Sequence, residues 1–180
     1  RFGLNGDLVK QRLRLIKPIQ DQVLTAVREI AVERLIDNIN DYYDVRLKQR
    51  NIQLLEKYSN FEFRKEDIRD TNIVEEWCPD KICHLASMAG VRYSIENPEI
   101  YVDVNINGFI NLLEQARKIG VKQIVYASSS SVYGLNTKVP FSESDPIETP
   151  NSPYASSKMA MELYAKTYHQ LYNLNTVSYT

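Results

Sequence analysis

Tyr154 and Lys158 stand four residues apart in Tyr154-Ala155-Ser156-Ser157-Lys158, and a hydroxyl tract, Ser128-Ser129-Ser130-Ser131, precedes them by one loop. Positions i and i+4 of a helix share a face, so the two side chains point the same way. An ammonium beside a phenol favours the phenolate, by roughly 3 kcal/mol at about 6 Å and an effective dielectric near 20. A tyrosine so held can take a proton from a substrate hydroxyl near neutral pH, and a serine such as Ser129 can hydrogen-bond the reacting oxygen. With 12 tyrosines in the chain, the Tyr-x-x-x-Lys spacing alone is a weak signal, because a solvated helix face explains most instances. Order carries the weight: a strand, the hydroxyl tract, a loop, the Tyr-x-x-x-Lys helix and a further strand follow one another.

The elements that must position these groups are legible as alternation. Apolar runs of strand length alternate with segments of helical period, which predicts an α/β fold with a doubly wound, Rossmann-like parallel sheet. Strands are expected at residues 31–36, 61–64, 81–86, 123–127 and 175–178, with a weaker candidate at 12–16. The clearest helix follows Asn97-Pro98, where Ile100, Val104, Phe109, Leu112, Leu113 and Ala116 recur at three and four residues and Gly120 supplies the stop. Further helices are expected over about 45–57 and 154–172. Residues 135–153 contain Pro140, Pro146, Pro150 and Pro153 among polar side chains and read as a loop joining the two halves of the site.

Composition narrows the function classes. A chain of 180 residues that is 43% hydrophobic can bury one sizeable core, so a single globular domain is expected. A net charge of -1 supplies no field for nucleic acid or an anionic membrane, so a small ligand is the expected partner. No apolar run reaches the length of a membrane span, and the charged stretch before Arg14 does not read as a signal peptide, so a soluble cytoplasmic protein is expected. Cys78 and Cys83, with His84 and His169, fit neither a metal site nor a disulfide framework; reduced core thiols are expected.

Weaker signals lie upstream. Asp37 ends a strand in Leu35-Ile36-Asp37-Asn38, where an acid in a nucleotide-binding fold accepts from the adenosine ribose hydroxyls. Asp67 also follows a strand and could meet an adenine, although solvated charge explains it equally well. The run His84-Leu85-Ala86-Ser87-Met88-Ala89-Gly90 ends a strand in small residues that permit close approach of a cofactor or simply tight packing. Asn105 interrupts the long helix with a poor helix former whose amide could bridge cofactor and backbone.

Taken together, these motifs resemble an extended short-chain dehydrogenase/reductase, specifically a nucleotide-sugar epimerase, and most of all the UDP-glucuronate 4-epimerases. The matching runs are Ile36 to Asp44, His84-Leu85-Ala86 with Ala89-Gly90-Val91-Arg92, Asn105-Ile106-Asn107-Gly108, Ser128 to Gly134 and Ser152 to Lys158. The resemblance implies NAD as cofactor and a UDP-sugar as substrate, with C4 epimerisation through a transient 4-keto sugar. It implies that Ser129, Tyr154 and Lys158 are catalytic. Asp37 and Asn38 would hold the adenosine ribose, Asp67 and Ile68 would flank the adenine, and Leu85, Ala86, Ser87, Asn105 and Ser128 would line the cofactor. Ser130 and Ser131 stand where dehydratases of the superfamily carry an acid pair, which favours epimerisation over loss of water and leaves two hydroxyls for a uronate carboxylate. A homodimer through the helices of Asn105 and Tyr154 is also implied.

Two departures accompany the resemblance. Counting back from Asp37 to the family's glycine-rich turn reaches residues 13–19, which contain Pro18 and no glycine. Residues 1–34 therefore read as an atypical segment in place of the first strand, turn and helix, and 35–180 as the NAD-binding domain. The C-terminal substrate region of the family is not found before Thr180. The alternatives are another nucleotide-sugar dehydratase or reductase of the superfamily, and a catalytically silent fragment or interaction module.

Overall fold

The computed structural model of the chain describes residues 33–179, which fall into two units, one ending at Glu66 and the other beginning at Asp67. The weak strand candidate at 12–16 and the stretch 13–19 lie outside the described residues.

The first unit contains a β-α-β succession: β1 (Glu33–Ile36), α1 (Val45–Leu55) and β2 (Phe61–Arg64). The strands pair in parallel, from Glu33 opposite Phe61 to Ile36 opposite Arg64. Asp44 caps α1 by accepting from the Arg46 amide at 3.0 Å, which satisfies one of the helix's orphan donors. The turn leaving β1 is tight. Asp37 Oδ1 accepts from the Ile39 amide at 2.6 Å, and Ile39 sits at φ 54°, a left-handed conformation that is rare for a β-branched residue.

The second unit runs α2 (Ile73–Trp77), β3 (Lys81–His84), α3 (Val91–Glu96), α4 (Pro98–Tyr101), a π-helical turn (Val102–Asn107), α5 (Gly108–Ile119), β4 (Gln123–Ala127), a 3₁₀ turn (Ser130–Tyr133), α6 (Pro153–Tyr172) and β5 (Thr176–Tyr179). Its sheet has the order β3-β4-β5, all parallel. Parallel pairing brings the carboxyl ends of the three strands, His84, Ala127 and Tyr179, to one edge of the sheet, where α/β folds bind their ligands. The core includes Ile124 and Tyr126 of β4, Phe109, Leu113 and Ala116 of α5 and Met161 and Ala165 of α6, all buried, with the Phe109 and Tyr126 ring centroids 5.2 Å apart. Gln115 of α5 ties down α2: its Oε1 accepts from the Val74 amide at 3.1 Å and its Nε2 donates to Thr71 O at 2.8 Å.

The α/β alternation and parallel pairing agree with the sequence expectation, and β2 and β4 keep its bounds. The long helix expected after Pro98 runs to Ile119 and stops at left-handed Gly120 as expected, but residues 102–107 within it form a π-helical turn. Helix α6 begins at Pro153, with Ser152 as its cap accepting from the Ala155 amide at 3.1 Å. The cysteines need correction: both Cys78 and Cys83 are exposed, not core residues. Cys78 occupies the left-handed end of α2, and in β3 the buried face is taken by His84, which turns its neighbour Cys83 outward. Among the described residues, no helix is long and apolar enough to cross a membrane.

The proline-rich segment after the 3₁₀ turn is ordered by its own contacts. Asp145 accepts from the Ser142 amide at 2.8 Å and from Lys138 Nζ at 2.5 Å, and the Lys138 contact holds its carboxyl below the usual carboxylate range. Tyr133 stacks on Phe141 with ring centroids 4.6 Å apart. The neck closes where Leu135 N donates to Thr149 O at 3.2 Å, beside Gly134 at φ 55°. A Cβ on Gly134 would fall 1.7 Å from Thr149 O, so only glycine allows this closure. Gly134→Ala is expected to lower stability by about 2 kcal/mol or more, read from urea denaturation; an unchanged midpoint would contradict the closed neck.

Candidate active site

Lys158 is the pivot of the second unit's sheet edge. It is 1% exposed, and its Nζ donates to Ser87 Oγ at 3.0 Å and to Ala127 O at 2.8 Å. One ammonium thus ties α6 to the segment leaving β3 and to the last residue of β4. Burial draws the lysine down to about 8, so it still carries its charge at pH 7. His84, buried and stacked on Phe109 with centroids 5.2 Å apart, is drawn down to about 3 by burial and then by the Lys158 charge, and stays neutral.

Tyr154 lies half-buried in the first turn of the same helix. Its ring meets Tyr101 edge-on, with centroids 5.9 Å apart. Tyr101 is itself fully buried, with its hydroxyl 2.8 Å from the carbonyls of both Ala89 and Gly90. On the strand side, Ser129 caps the 3₁₀ turn: its Oγ accepts from the Ser131 amide at 3.2 Å and donates to Ser131 Oγ at 3.1 Å. Ser130 is exposed beside it. Ser128 donates its amide to Tyr179 O at 2.8 Å and its hydroxyl to the Glu162 carboxylate.

Asn105, in the π-helical turn, is fully buried. Its Oδ1 accepts from Met88 N at 2.7 Å, and its Nδ2 donates to Met88 O at 3.0 Å and to Ser157 Oγ at 2.9 Å. Ser157 in turn donates to Tyr154 O at 2.8 Å. The amide therefore joins the segment after β3 to the helix of Tyr154 and Lys158, and the widened turn is what brings a residue of the long helix to that position.

Of the residues singled out in the sequence, Ser87, Asn105, Ser128, Ser129, Ser131 and Lys158 lie in or next to this bonded set. Leu85 and Ala86 follow β3 and are exposed. Ile68 is buried. Asp67 is engaged by Arg69, whose Nε and Nη2 donate to its two carboxylate oxygens at 2.9 and 2.8 Å. Asp37 and Asn38 belong to the first unit; Asp37 Oδ1 also accepts from Lys48 Nζ at 3.2 Å, and Asn38 Oδ1 accepts from the Asn40 amide at 3.1 Å. Sequence reasoning missed Ser157 and Glu162. The signal for Glu162 was its place four residues after Lys158, on the same stripe as Tyr154.

The profile of the family described as GDP-mannose 4,6 dehydratase matches residues 25–180. The chain belongs to that family. Protein CapI of Staphylococcus aureus is 48% identical over 147 residues, covering 78% of this chain and 43% of CapI. A UDP-glucuronate 4-epimerase of Thermodesulfobacterium geofontis is 46% identical over 144 residues, covering 78% and 44%. Among solved structures, the UDP-glucuronic acid 4-epimerase of Bacillus cereus in complex with UDP-glucuronic acid and NAD superposes with a TM-score of 0.75 at 34% identity, covering 81% of this chain and 46% of that one. The chain spans less than half the length of these curated relatives. The resemblance to nucleotide-sugar epimerases read from the motifs is borne out by these relatives.

Asn105→Ala would strip the Met88 amide and carbonyl and the Ser157 hydroxyl of a buried partner. A loss of about 2–4 kcal/mol in stability is expected from chemical denaturation; a variant as stable as the parent would contradict the bridging role.

Proposed function

We propose that the protein is an NAD-dependent nucleotide-sugar 4-epimerase that interconverts UDP-glucuronate and UDP-galacturonate. The observation that carries it is the buried Lys158 ammonium, bonded to Ala127 O at 2.8 Å immediately before the hydroxyl tract and one helical turn beyond Tyr154. The donor set suits a nicotinamide ribose: Lys158 has three N–H donors, of which Ser87 and Ala127 take two. Leu85, Ala86, Ser87, Asn105 and Ser128 then line the cofactor, and Asp37 and Asn38 hold the adenosine ribose. Asp67 and Ile68 flank the adenine, whose amino group would share the Asp67 carboxylate with Arg69. In this assignment residues 35–180 form the NAD-binding domain, and residues 1–34 stand in place of the usual glycine-rich turn.

Held by these residues, NAD would supply a reversible hydride acceptor for C4 of the sugar. The chain's own groups do the rest. Tyr154 takes the proton of the 4-hydroxyl as general base and gives it back. Lys158, itself almost wholly out of water, holds a positive charge one helical turn from Tyr154, and a buried charge acts more strongly than a solvated one. Ser129 hydrogen-bonds the reacting oxygen, and Ser130 and Ser131 donate to the uronate carboxylate. A homodimer through the helices of Asn105 and Tyr154 is supported by exposed Val102 and Leu163 on them.

A second chemistry, dehydration, is favoured by the family's description and by similarity to DesIV, a dTDP-glucose 4,6-dehydratase from Streptomyces venezuelae, at 27% identity and a TM-score of 0.78. Against it, Ser130 and Ser131 offer neither the acid nor the base that elimination requires. Mass analysis separates the two, because an epimer keeps the mass of UDP-glucuronate and a dehydrated sugar does not. Tyr154→Phe is expected to lower kcat by about a hundredfold or more while NAD remains bound by calorimetry. Retained turnover in that variant, or no NAD binding by the parent, would refute the assignment.

A further inference from the structure

We propose that Glu162 is a positioning residue for the Tyr154–Lys158 pair, acting through the side chain of Ser128 at the end of β4. The inference rests on the epimerase assignment of the same site.

Tyr154, Lys158 and Glu162 follow one another at four-residue intervals and form a single stripe along α6. Two of the three are bonded to consecutive residues of the chain leaving β4. Lys158 Nζ donates to Ala127 O at 2.8 Å, and the Glu162 carboxylate accepts from Ser128 Oγ. Ser128 is also fixed on its other side, its amide donating to Tyr179 O of β5 at 2.8 Å. The backbone that delivers Ser129 is therefore gripped by two successive turns of the helix that delivers Tyr154. Ser129 follows directly and is locked into the 3₁₀ turn through the Ser131 amide. Without the Glu162 contact, the Ser128 side chain loses its tie to α6 and the chain past β4 is held only through its backbone, by the Lys158 bond to Ala127 O and the Ser128 amide bond to Tyr179 O, so the Ser129 hydroxyl is held less firmly relative to the phenol.

The chemistry of the pair suits this role. A hydrogen bond from a neutral hydroxyl to a carboxylate is short and strong yet leaves the carboxylate charged. Glu162 is half-buried. Lys158 directs its donors to Ser87 and Ala127, so the carboxylate one turn away serves the strand end.

The test is a set of variants assayed for epimerisation of UDP-glucuronate in the active enzyme at saturating NAD. Glu162→Ala is expected to reduce kcat about ten- to a hundredfold through misplacement of the reacting groups, with KM for UDP-glucuronate and Kd for NAD within about threefold of the parent. Glu162→Gln keeps an acceptor oxygen and is expected to restore kcat to within about threefold of the parent. At saturating NAD, Ser128→Ala should show the same loss of kcat as Glu162→Ala, and the double variant should be no slower than either single one. Parental kcat in Glu162→Ala, a Glu162→Gln variant as slow as the alanine, or multiplied losses in the double variant would each overturn the proposal. Should Glu162→Ala fail to fold, Ser128→Ala and Glu162→Gln supply the same comparison with fewer atoms removed. Tyr154→Phe is run alongside: if it stays active, the epimerase assignment fails, whereas an inactive Tyr154→Phe with a fully active Glu162→Ala removes the Glu162 role alone.

Discussion

A charged amine taken almost wholly out of water is the constraint around which the second unit is arranged. Burying the Lys158 ammonium is costly unless its donors are met, and Ser87 Oγ and Ala127 O meet two of the three. Ser87 follows the carboxyl end of β3 and Ala127 is the last residue of β4, so satisfying the charge also fixes the mutual placement of β3, β4 and α6. While charged, a lysine drawn down to about 8 weakens the fold, and this penalty fades as the pH rises from there toward the ordinary lysine range. A site that keeps such a group has a use for its charge, and the proposed use is Tyr154, one helical turn away on the same helix.

Around this pivot the polar residues form a continuous support. Asn105 reaches from the π-helical turn to Met88 and Ser157, the residues directly after Ser87 and directly before Lys158. Helix α6 is therefore held on one side through Ser157 and on the other through Glu162. Aromatic packing completes the frame: Tyr101 lies against Tyr154 and anchors to the turn that starts α3. The ordered segment closed at Gly134 and Thr149 joins the strand half of the site to the helix half.

What could be read from the sequence was what local pattern specifies. β4 is a short, mostly apolar run and β2 alternates phenylalanine with charged residues, and the limits of both agree with the structure residue for residue. The Tyr-x-x-x-Lys helix is long enough to declare its period, and Ser152-Pro153 marks its start. Short elements escaped: α2 and α3, of five and six residues, hold too little periodicity to be seen. The π-helical turn escaped because its residues keep a helical pattern that does not tell a π turn from an α turn; within it Asn105 bonds the Met88 backbone, 17 positions away. Ser157 and Glu162 were overlooked because their partners lie 52 and 34 residues distant in the chain. The exposed Cys83 shows the limit of reading burial from strand membership, because alternation in β3 gives the inner face to His84.

The proposed site depends on Lys158 being a buried, proton-bearing amine held by two oxygens. Its titration can be followed directly by NMR of the side-chain nitrogen and ε-carbon, assigned with a Lys158→Arg variant. A midpoint near 8 is the expected result; a midpoint in the range of a solvated lysine, about 10.4, would contradict the burial on which the proposed site depends.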